Sequence, residues 1–262
     1  MNQLIKYPGS KWQIAKWIIS FFPEHYTYLE PYFGSGSIYF TKQPSRRETI
    51  NDIDEQVVNL FKVCREHPEE LSEAIYLTPY ARKEYESIQE NHAGQEIQLS
   101  NDPVENARRF AIRCSQSFGS KMADRASWKT NRNSKGPIAP RIWNRMPETV
   151  IEVANRLKDA QIECKPAVQL ITDYNFDDCL IYADPPYPIS VRGSRLYRRE
   201  MQYNEEHIEL LEALKAHKGP VVLSSYDNDM YNDYLRGWNK ECRTSHTNSG
   251  KIKQEVLWMN FK

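Results

Sequence analysis

The sequence predicts an open α/β fold, a parallel sheet with helices on both faces, interrupted by a smaller, mostly helical insertion. Three observations carry this. Strand and helix signals alternate through residues 26–66 in a βαβα run, the pattern that builds parallel sheets through right-handed crossovers. From about Pro68 to Pro166 the periodicity is helical almost throughout. Strand signals then return at Cys179 and continue to the end of the chain. The expected division is residues 1–66 and 166–262 for the α/β domain and 67–165 for the insertion.

In order, Ser10–Phe22 places Trp12, Ile14, Ile18 and Phe21 at helical spacing and stops before Pro23. Tyr26–Leu29 is a short strand, followed by the glycine-containing turn Glu30-Pro31-Tyr32-Phe33-Gly34-Ser35-Gly36-Ser37. A helix is expected from Ser37, a strand through Glu48–Asn51, and a helix capped by Asp52 or Asp54 and running to about Glu66. The insertion holds helical stretches at 68–76, 79–90, 103–117 and 147–159. Cys179–Ala183 and Pro220–Ser224 are buried strands joined by a helix over Asn204–His217. Asn239–His246 and Gln254–Phe261 form a terminal strand pair separated by Asn248-Ser249-Gly250.

Two strand ends carry chemistry. After Cys179–Ala183 the chain reads Asp184-Pro185-Pro186-Tyr187, which sets a carboxylate, two ring-locked residues and an aromatic where open α/β sheets bind ligands. Proline cannot donate to a ladder, so the pair ends the strand and leaves carbonyls free to accept. Asp184 and a proline carbonyl offer two acceptors to a planar amino group, and Tyr187 offers a ring to stack on the attached base. The bland reading of the same residues is a turn with an N-capping Asp.

The earlier turn has the form G-x-G, in which glycine lets the backbone bend sharply and a ligand come close. It lacks the full dinucleotide spacing and the P-loop, so a pyrophosphate is not its natural ligand. Asp52 follows sixteen residues after Gly36, where an acid accepts from ribose hydroxyls; it also suits the next helix as a cap. A nucleoside without a diphosphate fits, and S-adenosylmethionine is the commonest such cofactor.

Formal net charge is zero, from 35 basic and 35 acidic residues, but the charge is unevenly spread. Asn106–Arg145 carries ten basic side chains against Asp124 alone, a net of +9, interleaved with Phe118, Trp128, Trp143 and small polar residues. Cations with aromatics and amides suit a nucleic acid, the cations meeting backbone and the flat groups meeting bases. Arg113, Ser117, Lys121, Arg125, Trp128, Lys129 and Arg132 are the candidate contacts. Arg195 joins them from Val191–Arg199, a cationic segment that reads as a loop able to clamp DNA. A solvated loop between helices accounts for the same composition.

Five scattered cysteines without a C-x-x-C pair or histidines at metal spacing argue for reduced thiols and no metal. No apolar run reaches membrane length and Met1–Lys6 shows no export signal, so a cytoplasmic protein is expected.

Lys6-Tyr7-Pro8-Gly9-Ser10-Lys11, Glu30 to Ser37, Asn51-Asp52-Ile53-Asp54 and Asp184-Pro185-Pro186-Tyr187 stand in the order seen in Dam-like, D12-class DNA adenine-N6 methyltransferases, which the chain resembles. Leu223-Ser224-Ser225-Tyr226-Asp227 and Glu255-Val256-Leu257 are similar to that family's closing strands. The resemblance implies a Rossmann-like methyltransferase sheet and an insertion that is the target-recognition domain. It also implies methyl transfer from S-adenosylmethionine to a flipped adenine of double-stranded DNA, in a bacterial cell or a phage-infected host. By the same resemblance Tyr7 and Lys11 contact the cofactor, Phe33, Gly34, Ser35, Gly36 and Ser37 cradle its methionine part, Asp52 holds the ribose, and Asp173 meets its adenine end. Asp184 borders both cofactor and base. The insertion lacks the segment associated with GATC-specific members, so the target sequence is open, as are oligomeric state and a separate restriction endonuclease partner. The competing readings are an amino methyltransferase acting on RNA or protein, and a catalytically silent DNA-binding relative.

Overall fold

The computed structural model describes residues 1–90, 99–118, 122, 126–130, 138–193, 195–246 and 252–262. The chain divides into two compact units. One comprises Lys11–Ile53, Asp159–Arg195 and Arg199–Lys262; the other comprises Met1–Ser10, Asp54–Lys158 and Leu196–Arg198.

The first unit is a seven-stranded sheet: β1 (Thr27–Glu30), β2 (Arg47–Asn51), β3 (Ala160–Glu163), β4 (Cys179–Ala183), β5 (Val221–Tyr226), β6 (Asn239–His246) and β7 (Ile252–Met259). Their order is β3-β2-β1-β4-β5-β7-β6. The first five strands in that order are parallel, and β7 returns antiparallel to both β5 and β6. Strand order reverses between β1 and β4, and this switch point opens a crevice at their carboxyl ends.

One face of the sheet buries Leu29, Ile181, Ala183, Leu223, Val256 and Trp258 beneath Leu170 and Ile171 of α8 (Ala167–Asp173), Leu210, Leu211 and Leu214 of α10 (Asn204–Ala216), and Tyr231 of α11 (Asp229–Tyr234). On the other, Phe22, just past α1 (Ala15–Ile19), packs its ring 6.1 Å from Tyr28 and 6.0 Å from Tyr182. The expected α/β sheet is therefore present.

Several elements differ from expectation. β3 lies at the sheet edge and falls within the range read as insertion; four residues with a single buried position carry little strand signal. The helix expected over Ser10–Phe22 shortens to α1, preceded by a turn in which Ile14 N donates to Lys11 O (2.9 Å) while the Lys11 amide donates to the Ser37 hydroxyl (3.2 Å). From Ser37 the chain makes turns, with Phe40 N on Gly36 O (2.9 Å) and Lys42 N on Ile38 O (2.9 Å), before Pro44 stops any continuation.

The second unit is helical: α2 (Glu55–Glu66), α3 (Pro68–Tyr76), α4 (Arg82–Glu90), α5 (Pro103–Gln116), α6 (Ala139–Trp143) and α7 (Met146–Leu157). Asp54 is the cap of α2, accepting from Gln56 N at 3.0 Å. Asp102 caps α5 by accepting from Val104 N, with Pro103 in the first turn where its missing N–H costs nothing. The buried stripes of α2 (Val57, Leu60, Phe61, Cys64), α5 (Ala107, Phe110, Ala111, Cys114) and α7 (Val150, Val153, Ala154, Leu157) form this unit's core.

Candidate active site and nucleic-acid interface

β4 is buried along its whole length and delivers Asp184 to the crevice. Both carboxylate oxygens are held. Lys11 Nζ donates to Oδ2 at 2.8 Å, and the Ser224 hydroxyl, from neighbouring β5, donates to Oδ1 at 2.8 Å. The Tyr182 hydroxyl lies 3.1 Å from Ser224 Oγ, extending the network behind the strand. The Asp184 side chain keeps 18% exposure, whereas Lys11 is buried at 5%. A carboxylate has about four lone-pair sites, so two held oxygens still leave acceptors for an incoming amine.

Tyr187 sits under Lys11, whose Nζ is 4.9 Å from the ring centre. Its ring meets Tyr226 edge-on at 4.8 Å and 75°. Its phenol donates to Glu255 Oε1, the oxygen that also lies 3.7 Å from Lys11 Nζ. Burial pushes the Glu255 carboxyl up, opposed by Lys11, and burial also holds the Tyr187 phenol well above its ordinary value.

At the end of β1, Gly34 (φ 52°) and Gly36 (φ 65°) both take the left-handed region. A Cβ on Gly36 would meet the Phe33 and Phe40 rings at 2.5 Å, so the turn closes tightly on its own aromatics. Asp52 resolves the ambiguity of its motif: its Oδ2 accepts from Gly34 N at 2.8 Å, while Asp54 does the capping. The turn and the acid after β2 are thereby tied together. Asn51 adds a second tie, donating to Pro31 O (2.9 Å) and Lys165 O (3.0 Å) and accepting from Lys165 N (2.8 Å). Behind the turn, burial raises the Glu30 carboxyl to about 8, with the Tyr28 phenol donating to it at 2.7 Å.

Lys11, Phe33 to Ser37, Asp52 and Asp184 to Tyr187 thus belong to one unit, on adjoining strand ends. Asp173 lies in the same unit but away from those strand ends. It ends α8 as an exposed residue, shortly before β4 begins, and so lies toward the opposite end of the strands. Tyr7 belongs to the helical unit, packing 6.5 Å from Phe110 and 5.9 Å from Tyr197. Ser224 and Glu255 were legible only as parts of closing strands; their site contacts have no local signal.

Within the helical unit the basic block is partly internal. Arg108 and Arg109 both bind Glu105, at 2.6 Å from each Nε. Arg113 donates to Met122 O at 2.6 Å, and burial lowers its pKa. Ser117 is buried and bridges the backbone of Trp128, whose Nε1 donates to Gln116 Oε1 (3.1 Å) and whose ring lies 4.8 Å from the Arg82 guanidinium. Lys129 lies beside Lys6, whose ammonium is pushed down by burial and then by that neighbour. Phe118 is 67% exposed. Lys121, Arg125 and Arg132 fall outside the described residues.

Arg195 is exposed and donates to Gln202 Oε1 at 2.6 Å. The segment before it is structured. Ile189–Arg192 forms the short helix α9, ended by Gly193 at φ 84°, and the Arg192 guanidinium grips the buried Glu200 carboxylate at 3.1 and 2.5 Å. Among the described residues no group of His, Cys, Asp or Glu could hold a metal ion, and no helix is long and apolar enough to cross a membrane.

A parallel sheet with an inserted antiparallel seventh strand, carrying an acid-Pro-Pro-aromatic corner after β4 and a glycine turn after the neighbouring β1, defines an open α/β protein whose polar residues gather at the switch point. The family model for the D12 class N6 adenine-specific DNA methyltransferase matches residues 7–249, and the chain belongs to that family. The Type II methyltransferase M1.LlaDCHI of Lactococcus lactis subsp. cremoris is 24% identical over 279 residues, spanning 100% of this chain and 96% of that protein. A crystal structure of the SAM dependent methyltransferase from Agrobacterium tumefaciens aligns at 10% identity with a TM-score of 0.38, over 95% of this chain and 59% of that one.

Proposed function

We propose that this chain transfers a methyl group from S-adenosylmethionine to the exocyclic N6 of a flipped adenine within a specific sequence of duplex DNA. The observation that carries the reading is the corner at Asp184: a carboxylate with both oxygens oriented, at the switch point, beside a left-handed glycine turn tied to an acid. The glycine turn and Asp52 suit a nucleoside cofactor, with Asp52 on the ribose, the backbone of Phe33 to Ser37 on the methionine part, and Lys11 and Tyr7 completing the contacts. When bound, that cofactor supplies a methyl activated by its sulfonium.

Adenine N6 is a poor nucleophile because its lone pair is delocalised into the ring. Asp184 and the Pro185 carbonyl accept the two amino hydrogens, Pro186 fixes the turn, and the nitrogen is drawn towards a tetrahedral state. As the methyl would pass from sulfur to N6, breaking the S–C bond as the N–C bond forms, the Asp184 carboxylate would stabilise the positive charge gained by the nitrogen, a preorganised electrostatic effect, until the surplus N6 proton leaves to solvent. Lys11 and Ser224 keep that carboxylate from rotating, so positioning carries much of the rate. Cys179, at the far end of β4, has its thiol pushed up to about 12 by burial and does not suit nucleophilic attack.

The base must leave the duplex to reach this corner, at a cost of a few kcal/mol. Tyr187 stacking and phosphate contacts from the helical unit, which we take as the target-recognition domain, offset that cost. In line with the Type II designation of the relative, a separate restriction endonuclease is the proposed functional partner, in the cytoplasm where DNA is found. The test is expression in a methylation-free host, followed by single-molecule sequencing for N6-methyladenine. Wild-type protein should mark one sequence context and Asp184→Ala none, while the purified variant still binds S-adenosylmethionine; modification of cytosine, of RNA alone, or by the Asp184 variant overturns the reading.

A further inference from the structure

Glu255 takes no direct part in the proposed methyl transfer, yet its placement is costly. It sits on β7, the strand inserted between β5 and β6, directly across from Tyr226 and followed by the buried Val256, Leu257 and Trp258. At 4% exposure, burying an ionisable group there costs free energy that an apolar residue would not. Its contacts show what holds it. Oε1 accepts from the Tyr187 phenol and lies 3.7 Å from Lys11 Nζ, while that same Nζ is 2.8 Å from Asp184 Oδ2. Lys11 therefore stands between two carboxylates, one facing the crevice and one behind it, and above the ring that Glu255 tethers by its hydroxyl.

We infer that Glu255 is a positioning residue for methyl transfer, fixing the place of the Tyr187 ring and of the Lys11 ammonium so that Asp184 meets the target amine in one orientation. The inference rests on the proposed adenine methylation. Glu255 reaches the base only through Tyr187 and Lys11. A ring tethered at its hydroxyl cannot swing about its Cα–Cβ bond, and the edge-on contact with Tyr226 at 4.8 Å braces it further. A small loss of alignment at a reacting centre costs up to about 100-fold in rate. The role therefore predicts a loss in turnover with little loss in binding.

The experiment compares wild type, Glu255→Gln, Tyr187→Phe and the double variant, using unmethylated plasmid DNA and radiolabelled S-adenosylmethionine, with thermal unfolding as the check on folding. Glu255→Gln should lower kcat about 10- to 100-fold and leave KM for both substrates within about threefold. The double variant should lose no more than its worse single parent, since Glu255→Gln weakens and Tyr187→Phe removes the same phenol–carboxylate contact. A Glu255→Gln enzyme with kcat within twofold of wild type overturns the inference, as does a loss confined to KM or a double variant in which the two losses multiply. Should Glu255→Gln fail to fold, Tyr187→Phe decides alone: it leaves Glu255 in place, and wild-type kcat in that variant overturns the tether. A wild type that methylates no adenine removes the reaction and this inference together, a failure separable from an active wild type matched by its Glu255 variant.

Discussion

At the scale of single residues, the carboxylates around the switch point differ through their surroundings. Asp184 is partly exposed and held by a lysine and a serine, whereas Glu30, at the end of β1, is fully buried and held by a phenol. Burial raises the Glu30 carboxyl to about 8 from an ordinary value of 4.5, so the folded protein binds a proton there that the unfolded chain releases. The stability this gives is present in full below 4.5 and is lost as pH rises through the folded value near 8. Glu30→Gln, which mimics the protonated form, should flatten the decline in thermal midpoint between those two pH values. A variant whose midpoint falls as steeply as the wild type's would show that Glu30 is ionised in the fold.

The element that matters most is the turn between β1 and the residues that follow it. Both of its glycines are left-handed, and at Gly36 an added Cβ would strike Phe33 and Phe40. Gly36→Ala should destabilise the fold by about 1–3 kcal/mol through strain at a positive φ and weaken S-adenosylmethionine binding at the same time, as read by thermal unfolding and by cofactor titration. A variant that binds the cofactor normally would detach the turn from the cofactor site. The G-x-G spacing was readable directly, since only glycine accepts that backbone. The division of labour between Asp52 and Asp54 was not, because two acids two residues apart suit the same cap and only the position of Gly34 N decides between them.

At the scale of the whole molecule, net neutrality conceals a segment of +9, and its described cations are not all alike. Arg108, Arg109 and Arg113 are committed to internal partners, whereas Lys129 lies beside Lys6, an arrangement of like charges that an anion would relieve. Lys129→Ala should therefore weaken DNA binding and reduce the salt slope of its affinity by about 1. Arg113→Ala should instead cost about 1.5–3 kcal/mol of stability, by removing the guanidinium that holds Met122 O. Equal salt slopes for wild type and Lys129→Ala would take Lys129 out of the DNA interface, and an Arg113→Ala protein of unchanged stability would return that side chain to the surface.

The parallel strands β1, β2, β4 and β5 and the proline corner that ends β4 were legible in the amino-acid pattern. Periodicity, glycine and proline act locally and leave their mark within a few residues. Cys179–Ala183 begins and ends where its apolar run does. Tertiary structure alone decided which distant side chains meet. Ser224 reaches Asp184 across forty residues, Lys11 across 173, and Glu255 reaches Tyr187 across 68. Nothing local distinguishes a serine or glutamate that faces the switch point from one that does not. The same limit hid β3, an edge strand with too little burial to show a pattern, and it led to Asp173, whose place in the chain suited a cofactor contact while the fold sets it as the exposed last residue of α8. It also hid the internal salt bridges of a block that composition counts as uniformly basic. Contacts of this kind depend on strand order and register, which arise only when the sheet closes around its switch point.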